Sequence, residues 1–437
     1  MATDRLDWNS EKGRPLHGEV RVPGDKSVSH RALMLSAIAE GTSHISGFLE
    51  GEDTRATAAI LAQLGVQIDA PSAGERVVHG VGLHGLRGSV YPLDCGNAGT
   101  GMRLLAGLLA GQAFDSTLIG DASLSKRPMR RVTDPLAMAG ARIDTRDGLP
   151  PLHVHGGQSL RGVRYELPVA SAQVKSAMLL AGLYAAGETE VVEPHPTRDY
   201  TERMLAAFGY PITFTPGRAR LQGGHPLRAT DVEVPADFSS AAFFMVAASL
   251  VPGSVLRLLA VGLNPRRTGL LQALRLMGAD ITVENEREAG GEPVGDLLVR
   301  HAPLRGVELP VALVPDMIDE FPVLFVAAAA AHGRTVIRGA AELRVKESDR
   351  IATMASGLRA LGARIEETPD GAIIEGGRLG GGRVESYLDH RIAMSFAVAG
   401  LVAEGSVRID DCSHVATSFP GFMALANGCG FALKSLD

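Results

Sequence analysis

The chain has 437 residues, of which 45% are hydrophobic and only 5% aromatic. This length exceeds what one ordinary hydrophobic core covers, so we expect two globular domains rich in small residues. The formal net charge of −6 excludes a nucleic-acid partner held by a broad positive field. No apolar run reaches the roughly 18 residues needed to span a membrane.

The N-terminal stretch "MATDRLDWNSEKGRP" lacks the basic start and the apolar segment of a secretory signal. The three cysteines, Cys95, Cys412 and Cys429, are too few and too scattered for a disulfide framework or a closed zinc site. We therefore predict a cytoplasmic protein in a reducing environment.

The first chemical signal along the chain is "VPGDKSVSHRALML", where an extended segment turns into an apolar helix. Lys26, Ser27 and Arg31 lie at the start of that helix, where free backbone N–H groups also favour an anion. The stretch lacks the G-x-x-x-x-G-K-[ST] pattern of a nucleotide-binding loop, which excludes nucleotide hydrolysis of that type. The structural alternative is a pair of basic side chains that are simply solvated.

Apolar, Ala-rich helical stretches then recur at regular intervals. They begin at Ser27, Gly99, Ser171, Ser239, Asp319 and Asp389, with successive offsets of 72, 72, 68, 80 and 70 residues. Each ends at a glycine and is followed by a short run rich in β-branched residues, which predicts a helix followed by a strand.

A second signature follows each of these stretches. The last turn of an amphipathic helix ends at a glycine and enters a strand, at Gly65, Gly140, Gly209, Gly278, Gly362 and Gly430. The repeating unit is therefore predicted to be strand, helix, strand, helix, strand, strand, or βαβαββ, present six times.

The segment "VRVPGDKSVS" at residues 20–29 is echoed by "VEVPADFSSA" at residues 232–241. Three units therefore make up each half, and proline at both places indicates a chain crossover. We predict one lobe of residues 24–236 and a second of residues 1–23 plus 237–437, with the active site in the cleft between the lobes. The alternative for such periodicity is a solenoid scaffold without catalysis.

Polar clusters recur at matching places beside the apolar helices. They occur in "DCGNAGTGMR", "GDASLSKRPMRR", "SAQVKSA", "PTRDY", "PDMIDEFP", "LRVKESDRI" and "LDHRIAM". Each has an ordinary structural alternative, such as a solvated helix face for "RVKESDR" or a helix cap for "DHR". Their recurrence favours an enzyme that binds two phosphorylated or carboxylated substrates.

Other chemistries find no support. His153 and His155 share a strand face but lack a third ligand, and no zinc-hydrolase, esterase or dinucleotide motif is present. We expect no metal and no cofactor.

These motifs, in this order from near residue 20 to "ATSFPGF" near residue 420, closely resemble the 5-enolpyruvylshikimate-3-phosphate synthase family. The resemblance implies an α/β fold of two similar lobes, each of three βαβαββ units with apolar helices packed inside. It also implies a cytoplasmic enzyme of the shikimate pathway, on the route to chorismate and the aromatic amino acids. We expect a monomer whose partners are its two small-molecule substrates, with no nucleic acid and no membrane.

By this resemblance the chain moves the enolpyruvyl group of phosphoenolpyruvate to the 5-hydroxyl of shikimate 3-phosphate, by addition and then elimination. The residues implied for shikimate 3-phosphate are Lys26, Ser27, Arg31, Ser171, Gln173, Arg198, Asp319 and Lys346. Those implied for phosphoenolpyruvate are Lys26, Gly99, Arg127, Gln173, Arg350 and Arg391. The implied catalytic residues are Asp319, which takes the hydroxyl proton, and Glu347, which exchanges a proton with carbon, assisted by Lys26 and His390.

The sequence departs from the family pattern in places. Thr417 stands where some members have a lysine, and Ala172 where members have a serine. Gly99 lacks the methyl group of members that resist the phosphoenolpyruvate mimic glyphosate, which predicts sensitivity. The sister transferase that acts on UDP-N-acetylglucosamine usually has Asn after the first Lys and a Cys in the mobile loop, whereas this chain has Ser27 and no Cys in "SLSKRPMRR".

Overall fold

The computed structural model describes residues 6–436 of the chain. This part divides into two compact units. The unit we call the N-terminal lobe consists of Gly24–Pro235 with Glu288–Glu292. The C-terminal lobe consists of the segment ending at Pro23, Ala236–Arg287 and the residues from Pro293 onward. Among the described residues, every helix is too short or too polar to cross a lipid bilayer.

The α-helices of the described chain alternate between the inner and the outer position of each repeat. In chain order they are α1 (Lys26–Ala37), α2 (Glu52–Gln63), α3 (Gly99–Ala110), α4 (Arg130–Met138), α5 (Ala172–Gly182), α6 (Tyr200–Ala207), α7 (Phe238–Leu250), α8 (Gly269–Leu276), α9 (Phe321–Ala330), α10 (Arg350–Ala360), α11 (His390–Gly400) and α12 (Phe422–Cys429). Short 3₁₀ segments occur at Leu124–Lys126, Val311–Met317, Ala341–Val345 and Ser413–Thr417.

The strands of the first half begin with two that precede α1. They are β1 (Asp7–Glu11), β2 (His17–Val20), β3 (Ala39–Ser46), β4 (Gln67–Asp69), β5 (Arg76–Val81), β6 (Leu93–Asp94), β7 (Ser116–Ile119), β8 (Ile143–Arg146), β9 (Leu149–Val154), β10 (Arg164–Glu166), β11 (Glu188–Val192), β12 (Ile212–Thr215), β13 (Arg218–Gln222), β14 (Leu227–Arg228) and β15 (Val232–Glu233). Those of the second half are β16 (Val255–Gly262), β17 (Asp280–Ala289), β18 (Glu292–Arg300), β19 (Arg334–Ile337), β20 (Arg364–Thr368), β21 (Gly371–Glu375), β22 (Gly382–Glu385), β23 (Val407–Asp410) and β24 (Ala432–Leu436).

The repeating unit is seen most simply in the run β6, α3, β7, α4, β8, β9. Its strands form one sheet in the order β6-β7-β9-β8, with β6 and β7 parallel and the other pairs antiparallel. The run β10 to β13 repeats this as β10-β11-β13-β12. A parallel pair needs a crossover helix, whereas the last two strands form a hairpin, so one unit combines both connections. The predicted fold class, βαβαββ units in two similar lobes, is confirmed.

At the two crossovers the strand before an inner helix belongs to a different sheet from the strand after it. Strand β2 precedes α1 but pairs in parallel with β16, and β14 and β15 precede α7 but pair in parallel with β3. The backbone N–H of Asp25 donates to the carbonyl of Pro235, and that of Asp237 to the carbonyl of Pro23, each over 2.8 Å. The prolines cannot donate to a ladder, so a strand that ends there is free to turn away.

One unit lacks a regular first strand. The sheet β19-β21-β20 is joined on its parallel side only by isolated bridges, Arg305 to His332 and Glu308 to Val336. Pro303 and Pro310 lie at the two ends of this segment. Because proline has no N–H and restricts the preceding residue, the ladder cannot extend in either direction.

The inner helices form the cores of the lobes, as predicted. Nearly every residue of α7 and α9 is buried, which fits helices that are apolar on all sides. In the N-terminal lobe, α3 and α5 cross closely at Gly107, where an added Cβ would lie 2.2 Å from the carbonyl oxygen of Ala177. Because the inner helices are apolar along most of their length, polar side chains that could bind a ligand lie at their N-terminal ends.

The outer helices end as the glycine signature predicts. The six glycines that follow α2, α4, α6, α8, α10 and α12 all have positive φ, from +74° to +121°. Only glycine adopts this left-handed conformation at little cost, and it turns the chain from the helix into the next strand.

Candidate functional site

The N-terminal end of α1 holds the first cluster of predicted residues. The Asp25 carboxylate caps the helix by accepting from the N–H of Val28 over 2.9 Å. Lys26 therefore lies in the first turn, and its Nζ is 3.0 Å from Oδ2 of Asp53 on α2. Ser27 follows and is partly accessible. A hydroxyl and an ammonium group thus lie at the positive end of a helix.

Arg31 is buried beneath this helix start. Its Nε donates to Oγ1 of Thr201 over 2.7 Å, and its Nη2 donates to Oγ of Ser176 over 2.8 Å. Its Nη1 donates to the carbonyl of Ser27 over 2.8 Å. Burial lowers the pKa of Arg31 to about 10, so the guanidinium stays charged at neutral pH. The side chain thereby connects α1 with α5 and α6.

The N-terminal ends of α3 and α5 are joined by a side-chain network. Oε1 of Gln173 accepts from Nη1 of Arg103 over 2.8 Å, and its Nε2 donates to Oγ1 of Thr100 over 2.9 Å. A Cβ at Gly99 would lie 2.9 Å from Nη1 of Arg127 and 3.2 Å from Nη1 of Arg103. The absence of a side chain at Gly99 therefore leaves room for two guanidinium groups at one helix start.

Ser171 and Arg198 complete the predicted set in the N-terminal lobe. Ser171 caps α5, accepting from the N–H of Val174 over 3.4 Å. Arg198 is partly buried just before α6. Its charge adds to burial in lowering the pKa of Arg31, so the two guanidinium groups share one electrostatic environment.

In the C-terminal lobe the predicted residues gather around Asp319, just before α9. Its Oδ2 accepts from Nη1 of Arg267 over 3.0 Å. Its Oδ1 lies 3.7 Å from both Nζ of Lys346 and Nη1 of Arg350. The backbone carbonyl of Asp319 accepts from Nη1 of Arg391 over 3.0 Å. Three cations therefore lie near the Asp319 carboxylate, and a fourth, Arg391, is bonded to its backbone carbonyl.

Arg350 links this carboxylate to two others. Its Nη2 donates to Oε2 of Glu347 over 2.7 Å, and its Nε donates to Oδ2 of Asp389 over 2.8 Å. Burial alone would lower the pKa of Arg350, but Asp389, Glu347 and Asp319 outweigh it and raise the pKa. Asp389 also caps α11, where the predicted His390 is buried in the first turn.

Lys346 and Glu347 do not lie on a helix face. They follow the 3₁₀ segment Ala341–Val345 and precede α10, which begins at Arg350. The alternative of a solvated helix surface for "RVKESDR" therefore does not apply to these two residues. Glu347 remains accessible to solvent while one of its oxygens is held by Arg350.

The most prominent residue that sequence reasoning missed is Arg267. It is buried and contacts Asp319, with its Nη2 bonded to Oγ of Ser239 and its Nη1 3.6 Å from Oε1 of Glu320. The repeat contains a signal that finds it, because Arg198 and Arg267 each stand two residues before an outer helix. Arg103 is the last residue of the quoted motif "DCGNAGTGMR", but the sequence alone assigned it no role of its own.

Comparison with known proteins assigns the chain to a family. The family model described as EPSP synthase (3-phosphoshikimate 1-carboxyvinyltransferase) matches residues 10–425. The chain belongs to the EPSP synthase family. Relatives named 3-phosphoshikimate 1-carboxyvinyltransferase from Xanthomonas campestris pv. campestris strain B100 and Xanthomonas oryzae pv. oryzae strain PXO99A are 69% and 68% identical, each over 100% of both chains.

Solved structures agree with the EPSP synthase assignment. The EPSP synthase of Acinetobacter baumannii is 53% identical, with a TM-score of 0.91 over 99% of this chain and 100% of that one. The enolpyruvyl transferase NikO from Streptomyces tendae has a TM-score of 0.81 over 99% of both chains at 20% identity, which shows a shared fold. The predicted family, and with it the class of enzyme, is confirmed.

The sequence predicts a departure from the family pattern at two positions, Ala172 and Thr417. Ala172 is the first residue of α5, directly after Ser171. Thr417 is buried, and its hydroxyl donates to the carbonyl of His414 over 2.7 Å, so this position contributes no cation. Within residues 6–436 there is no group of three or more His, Cys, Asp or Glu side chains arranged to hold a metal ion.

Proposed function

We propose that the chain transfers the enolpyruvyl group of phosphoenolpyruvate to the 5-hydroxyl of shikimate 3-phosphate and releases phosphate, a reaction of the shikimate pathway. Family membership over residues 10–425 supports the reaction. The structural observation that carries it is the pair of carboxylates, Asp319 and Glu347, that both contact Arg350. Two separate carboxyl groups are what the chemistry needs, because one proton leaves an oxygen and another is exchanged at a carbon.

We propose that the basic residues hold the two anionic substrates. Shikimate 3-phosphate binds to Lys26, Ser27, Arg31, Ser171, Gln173, Arg198, Asp319 and Lys346. Phosphoenolpyruvate binds to Lys26, Gly99, Arg127, Gln173, Arg350 and Arg391. Guanidinium groups suit this task because they donate paired hydrogen bonds to phosphate and carboxylate while remaining charged.

The proposed course is addition followed by elimination. In the first step the 5-hydroxyl oxygen of shikimate 3-phosphate bonds to C2 of phosphoenolpyruvate, and Asp319 accepts the hydroxyl proton. Glu347 donates a proton to the methylene carbon C3. In the second step the bond from C2 to the phosphate oxygen breaks, the leaving phosphate takes up the proton that Asp319 accepted, and Glu347 removes a proton from the new methyl group. The guanidinium groups of Arg350 and Arg391, with Lys26 and His390, stabilise the charge that develops beside the carboxylate and phosphate.

We further propose a monomer located in the cytoplasm, with the two substrates as its partners. The three cysteines are buried free thiols in the described chain, which suits a reducing compartment. A size-exclusion measurement with light scattering that gave twice the mass of 45.8 kDa would contradict the monomer.

The direct test of the reaction is phosphate release by the purified chain. We expect release with shikimate 3-phosphate and phosphoenolpyruvate together, and none when either is omitted. Replacing shikimate 3-phosphate by UDP-N-acetylglucosamine should also give none. Equal release with the sugar nucleotide would assign the chain to the sister activity instead.

A further inference from the structure

A buried ammonium group with two buried carboxylates lies in the N-terminal lobe, outside the residues assigned to the substrates. Lys175 on α5 is only 2% exposed. Its Nζ lies 2.8 Å from Oε2 of Glu193 and 2.8 Å from Oε1 of Glu202. Both carboxylates are also buried. We call Lys175, Glu193 and Glu202 the buried triad.

Stability does not account for the buried triad. Removing three charges from water carries a large desolvation penalty, and apolar residues of similar volume commonly serve as well or better. Oε2 of Glu202 is buried and has no hydrogen-bond partner. Burial also lowers the pKa of Lys175, but Glu202 and Glu193 outweigh this and raise it, so the group is held as an ammonium. A buried cluster of charges with such a desolvation penalty is expected where it holds a neighbouring segment of the chain in place.

The buried triad holds the loop between β11 and α6 at Thr197. Oε2 of Glu193 accepts from the N–H of Thr197 over 3.3 Å, and the Thr197 hydroxyl donates to Oε1 of the same carboxylate. Nζ of Lys175 donates to the Thr197 carbonyl over 3.5 Å. All three polar groups of Thr197 are therefore bonded to the triad. The next residue is Arg198.

The same triad also ties together the two helices that hold Arg31. Lys175 on α5 and Glu202 on α6 join the helices directly. Their sequence neighbours, Ser176 and Thr201, accept the hydrogen bonds of Nη2 and Nε of Arg31. A change in the distance between α5 and α6 would thus reach Arg31 as well as Arg198.

We propose that Lys175 and Glu193 are positioning residues for the shikimate 3-phosphate side of the site, which fix the Thr197 backbone and thereby the direction of Arg198. This inference rests on the proposed function, because Arg198 is placed there as a ligand of that substrate. Lys175 and Glu193 act through the loop and do not touch the substrate.

Glu193→Gln is the most informative substitution. It leaves Lys175 paired with Glu202, so the buried charges balance and the fold is retained. The amide nitrogen of the new side chain would face either two donors, the Lys175 ammonium and the Thr197 N–H, or the Thr197 hydroxyl, which would have to reverse its bond and accept. In both cases the charged acceptor of Glu193 is lost, and the hydrogen bonds that hold the loop weaken. By calorimetry we expect the Kd for shikimate 3-phosphate to rise about tenfold to hundredfold, the worth of one hydrogen bond to a charged group. The KM for phosphoenolpyruvate should stay within about twofold, since no group of the triad contacts the Gly99 and Arg127 cluster.

Two further variants separate positioning from loss of structure. Thr197→Val removes the hydroxyl bond to Glu193 without changing any charge, and should raise the same Kd. Thr117→Val is its matched control, because Thr117 is bonded over 3.0 Å to His153 on β9, a strand that carries none of the proposed ligands, and should leave the Kd unchanged. The decisive measurement is Glu193→Gln in an Arg198→Ala background. If Glu193 acts through Arg198, Glu193→Gln causes no further rise in the Kd for shikimate 3-phosphate once Arg198 has been replaced by Ala.

The outcomes discriminate clearly. A rise in Kd for Glu193→Gln and Thr197→Val that disappears in the Arg198→Ala background supports the proposal. A Kd within about twofold of wild type for both, or losses that add to that of Arg198→Ala, overturns it. If the wild-type chain itself fails to bind shikimate 3-phosphate or to release phosphate, the proposed function is wrong, and the positioning role falls with it.

Discussion

Individual residues carry the proposed proton transfers. The Asp319 carboxylate lies near three cations, which keeps an acceptor carboxylate beside the groups that hold the substrates. Glu347 has one oxygen bonded to Arg350 and remains accessible. The motif resemblance identified both residues, but no pattern along the chain indicates that Arg350 joins them. That link depends on α10 and the segment before α9 meeting in the folded lobe.

Asp319→Asn and Glu347→Gln should each lower kcat by about 10²–10⁴-fold, the usual contribution of one acid or base group. The substituted side chains keep nearly the same shape, so the calorimetric affinity for shikimate 3-phosphate should be largely retained. Glu375→Gln, at an exposed carboxylate near Arg334, is the control. Near-normal turnover in both variants would refute the acid–base assignment.

Gly99→Ala tests the space between Arg127 and Arg103. The added methyl group would be 2.9 Å from one guanidinium nitrogen and 3.2 Å from the other. These are the ends of flexible side chains, so we expect them to shift and the melting temperature to stay unchanged. The KM for phosphoenolpyruvate should rise, and so should the glyphosate concentration needed for half inhibition. An unchanged KM would mean that neither arginine contacts this substrate.

Helices contribute to the site through contacts between their N-terminal ends. The contact of α10 with α11 depends on Arg350 and Asp389, of which the second also caps α11. Burial would raise the pKa of Asp389, but Arg350 outweighs it and lowers the pKa. The stabilisation from this ion pair is therefore complete above the ordinary aspartate pKa and is lost as the pH falls through the lowered value.

Asp389→Asn leaves the Arg350 guanidinium buried beside a neutral partner. We expect a loss of about 3–5 kcal/mol in the free energy of unfolding at neutral pH, as found when one member of a buried pair is removed. Below about pH 4 the variant should lose less further stability than wild type, because it has no carboxylate to protonate there. Urea denaturation across pH measures both effects. Glu404→Gln, in an exposed pair with Arg378, should cost less than about 1 kcal/mol.

The crossing of α3 and α5 is a second contact between elements that substitution can test. Gly107→Ala would place a methyl group 2.2 Å from the backbone oxygen of Ala177, which cannot move without shifting α5. We expect the free energy of unfolding to fall by about 1–3 kcal/mol. Gly428→Ala, in α12 with open space around it, should instead stabilise by about 0.5–1 kcal/mol. Similar melting temperatures for the two variants would contradict the close helix crossing.

At the scale of the whole molecule, the N-terminal segment completes sheets whose other strands lie hundreds of residues later. Strand β1 lies between β23 and β24, and β2 pairs with β16. Without β1 and β2, the late strands of these sheets would have unpaired edges. The C-terminal lobe therefore depends on both ends of the sequence.

Separate expression of the two halves tests this dependence. We expect a fragment of residues 24–235 to melt cooperatively on its own. A fragment of residues 236–437 should fail to do so, because the middle strand of one sheet is missing, and should recover when a peptide of the first 23 residues is added. Cooperative melting of the second fragment without the peptide would contradict the strand assignment.

The sequence alone determined the features that depend on neighbours in the chain. Six helix starts at intervals of 68 to 80 residues, the apolar inner helices and the glycines that end the outer helices were all predicted, because helix periodicity and left-handed backbone are local properties. Only the tertiary structure decided which strands pair across the crossovers, that Arg267 reaches Asp319, and that Lys175 holds the loop before Arg198. These contacts join residues from different segments, such as Arg31 and Thr201, which are 170 positions apart. Their partners are selected by packing, and no pattern along the chain records them.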